Sequence, residues 1–312
     1  MKLLVKLAVT AGFLAVAFSQ VSMRELAALL QQANPWLLLA AVLIGLLGCA
    51  VNARKWQMLL GAAGVAIAWR RAMTLYMVGY FLNNIFTGMG EVKRIYDVGR
   101  SSGNGSAVLV SVFLERWTGI VAQASVSLAA LSVATLTVPG LWGVAAMNGL
   151  GLAMLVVLYM VAVGAPAARG VARLVERYPR LNHYVARAHD ALQEVRGRNV
   201  LRWALLQSVL VAGLLIVMHV ALGLALGLSV RGDFALVVPL AVAFGQVPVS
   251  VNGLGIQEVG YLALFGAVGL LPAQAMAVSM LAHGVKIALG ALGGVLGLIG
   301  AEKALVVPEP VA

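Results

Sequence analysis

The sequence predicts an all-α polytopic membrane protein with about six full transmembrane helices and two inverted re-entrant helical hairpins. The composition is the first observation, because 62% of the 312 residues are hydrophobic and only 11% are charged, whereas a soluble domain carries about 25% charge. The second is a series of apolar stretches that reach the roughly 20 residues a spanning helix needs. The third is the placement of the basic residues. We expect residues 1–312 to form a single membrane domain.

The apolar stretches define six candidate spans. The first resembles a secretory signal peptide, with two lysines, an apolar core and then small residues. We interpret it as an uncleaved first span, because the rest of the chain is membranous too. Short connections that contain Pro and Gly separate neighbouring spans. The candidate spans are residues 2–21, 36–57, 106–135, 141–164, 200–228 and 272–300.

The basic residues assign an orientation to these spans, because positive loops face the cytoplasm. If residues 69–91 crossed the bilayer, the stretch 166–202 with its eight arginines would lie outside. If residues 69–91 instead return to the cytoplasm, and residues 233–271 return to the outside, every basic loop and both termini are cytoplasmic. The residues that flank the first two spans are Lys2, Lys6, Arg54, Lys55, Arg70 and Arg71.

The two segments that turn back share a glycine-rich turn. Residues 69–104 are predicted to form the first re-entrant hairpin and the basic segment that follows it, and residues 233–271 the second hairpin. The turns read TGMGEV at 87–92 and NGLGIQEV at 252–259. Their glycines align at one constant separation along the chain, which pairs Gly88 and Gly90 with Gly253 and Gly255.

Glycine-rich turns at membrane depth predict a polar site between the hairpins. Non-helical backbone survives there only where it is buried in protein or lines a wet cavity, and inverted repeats in transporters surround a site near the midplane. The helix after each turn is expected to offer free N–H groups and partial positive charge, which suit an anionic head group. The alternative is that both turns are surface loops and the repeat is chance, because the chain has 35 glycines.

Residues 166–199 predict a basic amphipathic cytoplasmic segment rather than a span. Apolar residues recur every three or four positions from Val171 to Val195, and arginines occupy much of the other face. This pattern is typical of one helix, or of two broken at Pro179, lying on the inner leaflet. We expect it to anchor the chain.

Charged residues inside the predicted spans indicate a polar interior. Lys286 lies near the middle of the last span, where it costs at least about 2.5–3.5 kcal/mol, so it should face a polar cavity or a carboxylate. Glu258 is its candidate partner, and His283 lies one turn earlier on the same face. Glu115 and Arg116 lie inside the 106–135 span, and their candidate partners are Glu91, Lys93 and Arg94.

The charge and the rare residue types narrow the class of function. A net charge of +11 would suggest nucleic acid for a soluble protein, but here it is explained by loops that face anionic lipid. The single cysteine, Cys49, excludes an internal disulfide framework and a multi-cysteine metal site. No paired-carboxylate, HExxH or nucleophile–base pattern is present. We therefore expect no enzyme activity, no metal and no cofactor, and we expect His219 to be a packing residue.

Three stretches in order resemble one family. FLNNIFTGMGEVKRIYDVGR (81–100), FLERWTGIVA (113–122) and PVSVNGLGIQEVGYLALF (248–265) resemble the lysylphosphatidylglycerol synthase transmembrane-region family, also called flippase-like membrane proteins. The order and spacing match along nearly the whole chain. One departure concerns the first turn, where the family often has a Pro before the turn and a Gly-Gly-Asp or Gly-Glu inside it. This chain has Thr87 and a compact Gly-Met-Gly-Glu.

The resemblance implies which residues match the family motifs. Asn84 matches the asparagine that ends the descending helix of the first hairpin. Glu115 and Arg116 match a Glu-Arg pair that opens the next span. The residues that match the first turn and its arginine are Gly88, Gly90 and Arg94, and those that match the second turn and its glutamate are Pro248, Gly253, Gly255 and Glu258.

The resemblance also implies a function, namely to move polar-headed lipids between leaflets. The full synthases carry a separate soluble domain that makes an aminoacylated phospholipid, and only twelve residues follow position 300 here, so we expect this chain not to transfer the amino acid itself. The expected substrate is an anionic, aminoacylated or polyprenyl-linked lipid. The alternatives are a non-transporting scaffold for a lipid or glycan biosynthesis complex, and an integral membrane lipid-modifying enzyme.

These expectations define the candidate site and its partners. We expect a multi-pass protein of the inner membrane that contacts membrane lipids, with lipid-biosynthesis enzymes as further partners, an oligomer as an open alternative and no nucleic acid. The residues expected to line the lipid path are Asn84, Gly88, Gly90, Glu91, Lys93, Arg94, Glu115, Arg116, Gln246, Asn252, Gly253, Gly255, Glu258, His283 and Lys286.

Overall fold

Every regular element of the described chain is an α-helix, as the apolar composition predicts. The computed structural model describes residues 2–135, 142–163, 195, 199–245, 250 and 253–303. The predicted amphipathic segment 166–199 therefore lies almost wholly outside the described residues. The helices are α1 (Lys2–Ser19), α2 (Met23–Gln31), α3 (Pro35–Ala62), α4 (Trp69–Ile85), α5 (Met89–Ser102), α6 (Gly105–Ala134), α7 (Trp142–Val163), α8 (Val200–Ala225), α9 (Gly232–Phe244), α10 (Ile256–Ala267) and α11 (Pro272–Lys303).

Four described helices are long and apolar enough to cross a membrane. They are Pro35–Ala62, Gly105–Ala134, Val200–Ala225 and Pro272–Ile299, and each matches one of the six predicted spans. The first predicted span, residues 2–21, corresponds to α1 alone, and Leu7–Ser19 of α1 forms a pair with Met23–Gln31 that is bent by 87°. If this pair is counted as one span, the described residues contain five candidate spans. The protein is thus a multi-pass membrane protein, and the number six stays a prediction.

The bend after α1 has a local cause. Ser22 ends the connection in an extended conformation, and its side-chain oxygen accepts a hydrogen bond from the Glu25 N–H at 3.4 Å. Such an N-cap starts a new helix in a new direction. Before the bend, α1 packs against the start of α10, where a Cβ added to Gly255 would lie 2.6 Å from Phe13 Cβ. Only glycine permits this approach of the two helices.

Helices α4 and α5 form the first helical hairpin. They are joined by the three residues after Ile85, and the last of these, Gly88, has φ of +91°. The two helices touch backbone to backbone, because a Cβ on Gly90 would overlap the carbonyl of Gly79. At the open end of the hairpin, Arg71 donates a hydrogen bond to Ser101 Oγ at 2.9 Å. Both ends of the hairpin therefore lie at the same level.

Helices α9 and α10 form the second helical hairpin. Its tip is closed like the first, since a Cβ added to Gly253 would lie 2.9 Å from the Gly245 Cα. Gly260 packs under Phe244 in the same way, with a Cβ position 2.9 Å from the Phe244 Cβ. The open ends lie together too, because Arg231 and Val268 line one small cavity of about 290 Å³.

The two hairpins lie at opposite ends of the bundle. The first hairpin shares a hydrophobic cluster with the N-terminal half of α6, from Ala107 to Leu114. The second shares another cluster with the C-terminal end of α6, at Leu131 and Ala134. Because α6 is one continuous helix of 30 residues, the hairpins enter the bundle from its two ends and point toward each other.

Helix α11 holds the first hairpin through a stripe of glycines. Cβ atoms added at these positions would meet the backbone or side chains of α4 from Met77 to Asn84. Small residues let membrane helices approach closely, where van der Waals packing drives association. The Asn84 amide also donates to the Lys286 carbonyl at 2.9 Å. The glycines are Gly290, Gly293, Gly294 and Gly297.

Candidate functional site

The tip of the first hairpin is fastened by Asn83. Its Oδ1 accepts hydrogen bonds from the N–H groups of Gly88 at 3.1 Å and Gly90 at 2.9 Å, and its Nδ2 donates to Glu91 Oε1 at 3.2 Å. The family resemblance implies the neighbouring Asn84 instead, but the Asn84 side chain points to α11. Two adjacent asparagines at a helix end cannot be told apart without knowing which way each faces.

The tip of the second hairpin uses an acidic side chain for the same purpose. Glu258 Oε2 accepts from the Gly255 N–H at 2.6 Å, which is the backbone contact of a capping box. Gly88 and Gly255 each precede the first residue of a helix, and Glu91 and Glu258 are each the third residue of that helix. The structural repeat thus pairs Gly88 with Gly255, two residues later than the alignment with Gly253 that the sequence suggested.

These caps change how an anion would be held. We expected the helix ends after both turns to offer free N–H groups, but the N–H groups of Gly88, Gly90 and Gly255 are bound by the side chains of Asn83 and Glu258. A buried donor that already has a good acceptor gains little from a second one. Side-chain cations are therefore better placed to hold an anion than these three N–H groups are.

Both hairpin tips open onto one cavity of about 500 Å³. Helices α3, α6, α8 and α11 complete its walls. The predicted site residues that line it are Asn84, Glu91, Arg94, Glu115, Arg116, Gly253 and Lys286. Polar residues that the prediction missed and that also line it are Asn52, Lys55, Tyr76, Tyr80, Asn83, Thr87, Gln123, Ser208, His219, Ser250, Gln257 and Tyr261.

A network of ion pairs joins the first hairpin to α6, as the sequence predicted. Arg94 lies 3.1 Å from Glu115 Oε2 and 3.6 Å from Glu91 Oε1, and Arg116 contacts the same Glu91 oxygen. Lys93, the third candidate partner, is instead turned outward, where it pairs with Asp97 at 2.6 Å. The network places two carboxylates and two guanidinium groups on one wall of the cavity.

Arg94 is the most constrained cation of this wall. Only 3% of its side chain is exposed, and its guanidinium lies 4.8 Å from the ring centroid of Trp56 and 4.9 Å from that of Tyr76. Cation–π contacts of this length are attractive and fix the plane of the guanidinium. Its Nη2 binds Glu115, while its Nη1 has no hydrogen-bond partner among the described residues.

The prediction that Lys55 is a cytoplasmic flank of the second span is wrong. We placed it with Arg54 as a cytoplasmic flank, but its side chain is only 2% exposed, and Nζ donates to Ser208 Oγ at 2.9 Å. Nζ also lies 3.8 Å from Glu115 Oε1. A lysine next to an arginine at the end of an apolar run looks solvated in sequence, because its partners lie far along the chain.

The cavity lining also includes a hydrogen-bonded histidine and tyrosine. His219 Nδ1 lies 2.8 Å from the Leu215 carbonyl, which can only accept, so Nδ1 carries the proton and Nε2 accepts from the Tyr261 hydroxyl at 2.6 Å. The prediction of a satisfied packing histidine is confirmed, although the cavity lining includes this pair. It offers a neutral, hydrogen-bonded surface to a ligand.

Glu258 and His283 lie behind the cavity rather than in it. Glu258 Oε1 is 2.8 Å from His283 Nε2 and 3.4 Å from Ser279 Oγ, and neither Glu258 nor His283 is among the described residues that line the cavity. This contact fastens the tip of the second hairpin to α11. The predicted partnership of Glu258 with Lys286 stays a prediction. Gln246 and Asn252 lie outside the described residues.

Comparison with known proteins identifies one match. The family model described as the lysylphosphatidylglycerol synthase TM region matches residues 3–294. No curated protein and no solved structure matches the chain.

Proposed function

The chain belongs to the lysylphosphatidylglycerol synthase TM region family, and from this we propose that it moves a lipid with a polar, anionic head group between the two leaflets. We propose that it does so without a chemical reaction. The observation that carries the proposal is the cavity between the hairpin tips, which lies inside a bundle of membrane-spanning helices and is lined by charged residues. The lipid tails would stay in the bilayer while the head group enters the cavity.

We propose that both hairpins are re-entrant, from opposite faces of an inner membrane. Helices α5, α9 and α10 have 14, 13 and 12 residues, and about 20 are needed to cross. The contact of Arg71 with Ser101 supports a first hairpin whose ends lie on one face. Combined with the basic loops, this arrangement puts both termini in the cytoplasm.

Cysteine labelling tests this topology. In a Cys49→Ala background, we expect Ala66→Cys and Ser102→Cys, which lie on the two sides of the first hairpin, to react with an impermeant thiol reagent from the cytoplasmic face only. Ser229→Cys, between α8 and α9, should react from the outer face only. All three positions are exposed. If Ala66→Cys and Ser102→Cys react from different faces, the first hairpin crosses the membrane and the re-entrant topology is wrong.

The charges of the cavity support an anionic head group. Four cationic side chains line it, namely Lys55, Arg94, Arg116 and Lys286, against the two carboxylates of Glu91 and Glu115. An excess of positive charge at membrane depth is costly, and such charges mark substrate pathways. A bound anion offsets this cost, whereas a neutral or cationic head group does not.

Lys286→Met is expected to slow lipid exchange. If the ammonium contacts the head group, its loss removes a charged hydrogen bond worth about 1.5–3 kcal/mol, so the rate should fall about tenfold or more. The measurement is leaflet exchange of fluorescent phosphatidylglycerol in liposomes that contain the purified protein. Arg24→Met, which removes an exposed cation of α2, is the matched control and should exchange lipid at the unmodified rate.

The same experiment separates transport from the alternatives. Unmodified protein that accelerates no class of lipid would favour a scaffold within a lipid-synthesis complex. Unchanged exchange in Lys286→Met would remove this residue from the proposed path. A chemically altered lipid in the recovered vesicles would favour an enzyme.

A further inference from the structure

Two buried atoms of the cavity wall lack partners and belong to adjacent side chains. Among the described residues, Arg94 Nη1 and Glu91 Oε2 make no hydrogen bond. Arg94 and Glu91 both line the cavity, and they lie one helical turn apart on α5. Buried polar atoms are nearly always satisfied, so each such exception calls for a ligand, a water or an ion. One atom can only donate, and the other, in an ionised carboxylate, can only accept.

The unpaired donor, Arg94 Nη1, favours an anionic oxygen as its partner. Arg94 is 3% exposed, held between the rings of Trp56 and Tyr76 and tied to Glu115 through Nη2. Its unpaired Nη1 is therefore preorganised, and a guanidinium matches phosphate oxygens in shape and charge. The cavity as a whole carries two more cationic than anionic side chains, which favours a phosphate over a neutral acceptor.

The unpaired acceptor, Glu91 Oε2, favours a neutral hydroxyl over an ammonium group as its partner. Glu91 Oε1 is already contacted by Asn83, Arg94 and Arg116. An ammonium that approached Oε2 would be attracted by that carboxylate, but it would add to a cavity that already carries four cationic and two anionic side chains, and repulsion between like charges is strong in a partly buried site. A hydroxyl satisfies the same oxygen without that repulsion.

We infer that the cavity binds a head group made of a phosphate and a neighbouring hydroxyl, and that it discriminates against head groups that carry a primary ammonium. Arg94 Nη1 donates to the phosphate, and Glu91 Oε2 accepts from the hydroxyl. Glycerol phosphate and sugar phosphate heads offer these two groups without an ammonium, whereas a lysyl-bearing head offers them together with ammonium groups that the positively charged cavity repels. The inference rests on the proposed lipid-moving function and names its substrate class.

Binding to the unmodified full chain tests the inference without any variant. The probes are dioctanoyl lipids added to detergent-purified protein: phosphatidylglycerol, phosphatidylmethanol, which keeps the phosphate but lacks the head-group hydroxyls, and lysylphosphatidylglycerol. We expect phosphatidylglycerol to bind about tenfold tighter than the lysyl lipid and about fivefold tighter than phosphatidylmethanol, as one lost hydrogen bond or one repulsion implies. Lysylphosphatidylglycerol that binds as tightly as phosphatidylglycerol would overturn the inference.

A variant assigns the phosphate contact to Arg94. Arg94→Gln should weaken phosphatidylglycerol about tenfold, whereas Arg100→Gln, an exposed arginine of the same helix, should bind it normally. Unchanged binding by a folded Arg94→Gln protein would contradict the assigned donor. If Arg94→Gln does not fold, the relative affinities of the unmodified protein for the three lipids test the inference by themselves.

Two further outcomes separate this inference from the proposed function. Free glycerol 1-phosphate that binds as tightly as the lipid would support the head-group chemistry while identifying a soluble ligand, and would count against lipid movement. Selective binding of phosphatidylglycerol without leaflet exchange would likewise support the inference and contradict the transport proposal. Exchange of lysylphosphatidylglycerol in preference to phosphatidylglycerol would support the transport proposal and contradict the inference.

Discussion

Gly90→Ala is expected to prevent the first hairpin from closing. Gly90 has an ordinary helical conformation, so the only obstacle to alanine is space, and a Cβ there would overlap the carbonyl and Cα of Gly79. Overpacking costs about 1–3 kcal/mol where side chains can yield, and backbone yields less. We therefore expect a loss of about 3 kcal/mol or more, measured as a lower thermal unfolding midpoint and a lower yield of monodisperse protein in detergent.

Gly213→Ala is the matched control for this substitution. Gly213 lies in the interior of α8, and a Cβ there meets nothing within 4 Å. Because alanine is favoured over glycine in a helix by up to about 1 kcal/mol, this variant should be as stable as the unmodified protein or slightly more stable. Equal midpoints for Gly90→Ala and Gly213→Ala would show that α4 and α5 do not pack as closely as described.

Glu115→Gln is expected to cause the second large loss of stability. The Glu115 side chain is 6% exposed and accepts from Arg94 while lying 3.8 Å from Lys55 Nζ. Glutamine keeps the shape of the side chain but leaves two buried cations without their shared counter-charge. Removing one partner of a buried ion pair costs about 3–5 kcal/mol, and we expect a loss of that size in the thermal unfolding midpoint. Glu25→Gln, an exposed position of α2, should leave the midpoint unchanged.

A double substitution identifies the cause of that loss. If uncompensated charge is responsible, Lys55→Met in the Glu115→Gln background should recover part of the stability, because one of the stranded cations is gone. Contacting residues of one network are non-additive by about 0.5–3 kcal/mol. Strictly additive losses in the double variant would show that the carboxylate does not neutralise Lys55.

The hairpins are the part of the fold that the sequence predicts best. Glycine turns flanked by apolar runs mark the tips, and the count of basic loops predicts that neither segment crosses. The turn residues Phe86 to Gly88 lie where the prediction placed the first tip. These signals are local or depend on simple counting, so no knowledge of packing is needed to find them.

The site is predicted less completely, because its chemistry is decided by distant contacts. Lys55 reads as a membrane flank until Ser208 and Glu115 are seen beside it. Asn83 and Asn84 differ only in the side of α4 that they face. The pairing of Glu115 and Arg116 with the first hairpin could be predicted, because charges inside an apolar helix require partners and few candidates exist.

The glycine stripe of α11 has a consequence for the biosynthesis of the protein. Helix α4 is synthesised well before α11, yet α4 packs on Gly290 and Gly293, and the Asn84 amide donates to the carbonyl of Lys286. Contacts between residues so far apart in sequence form late. Until residues 286–293 have been synthesised, the face of α4 that packs on them lacks this support.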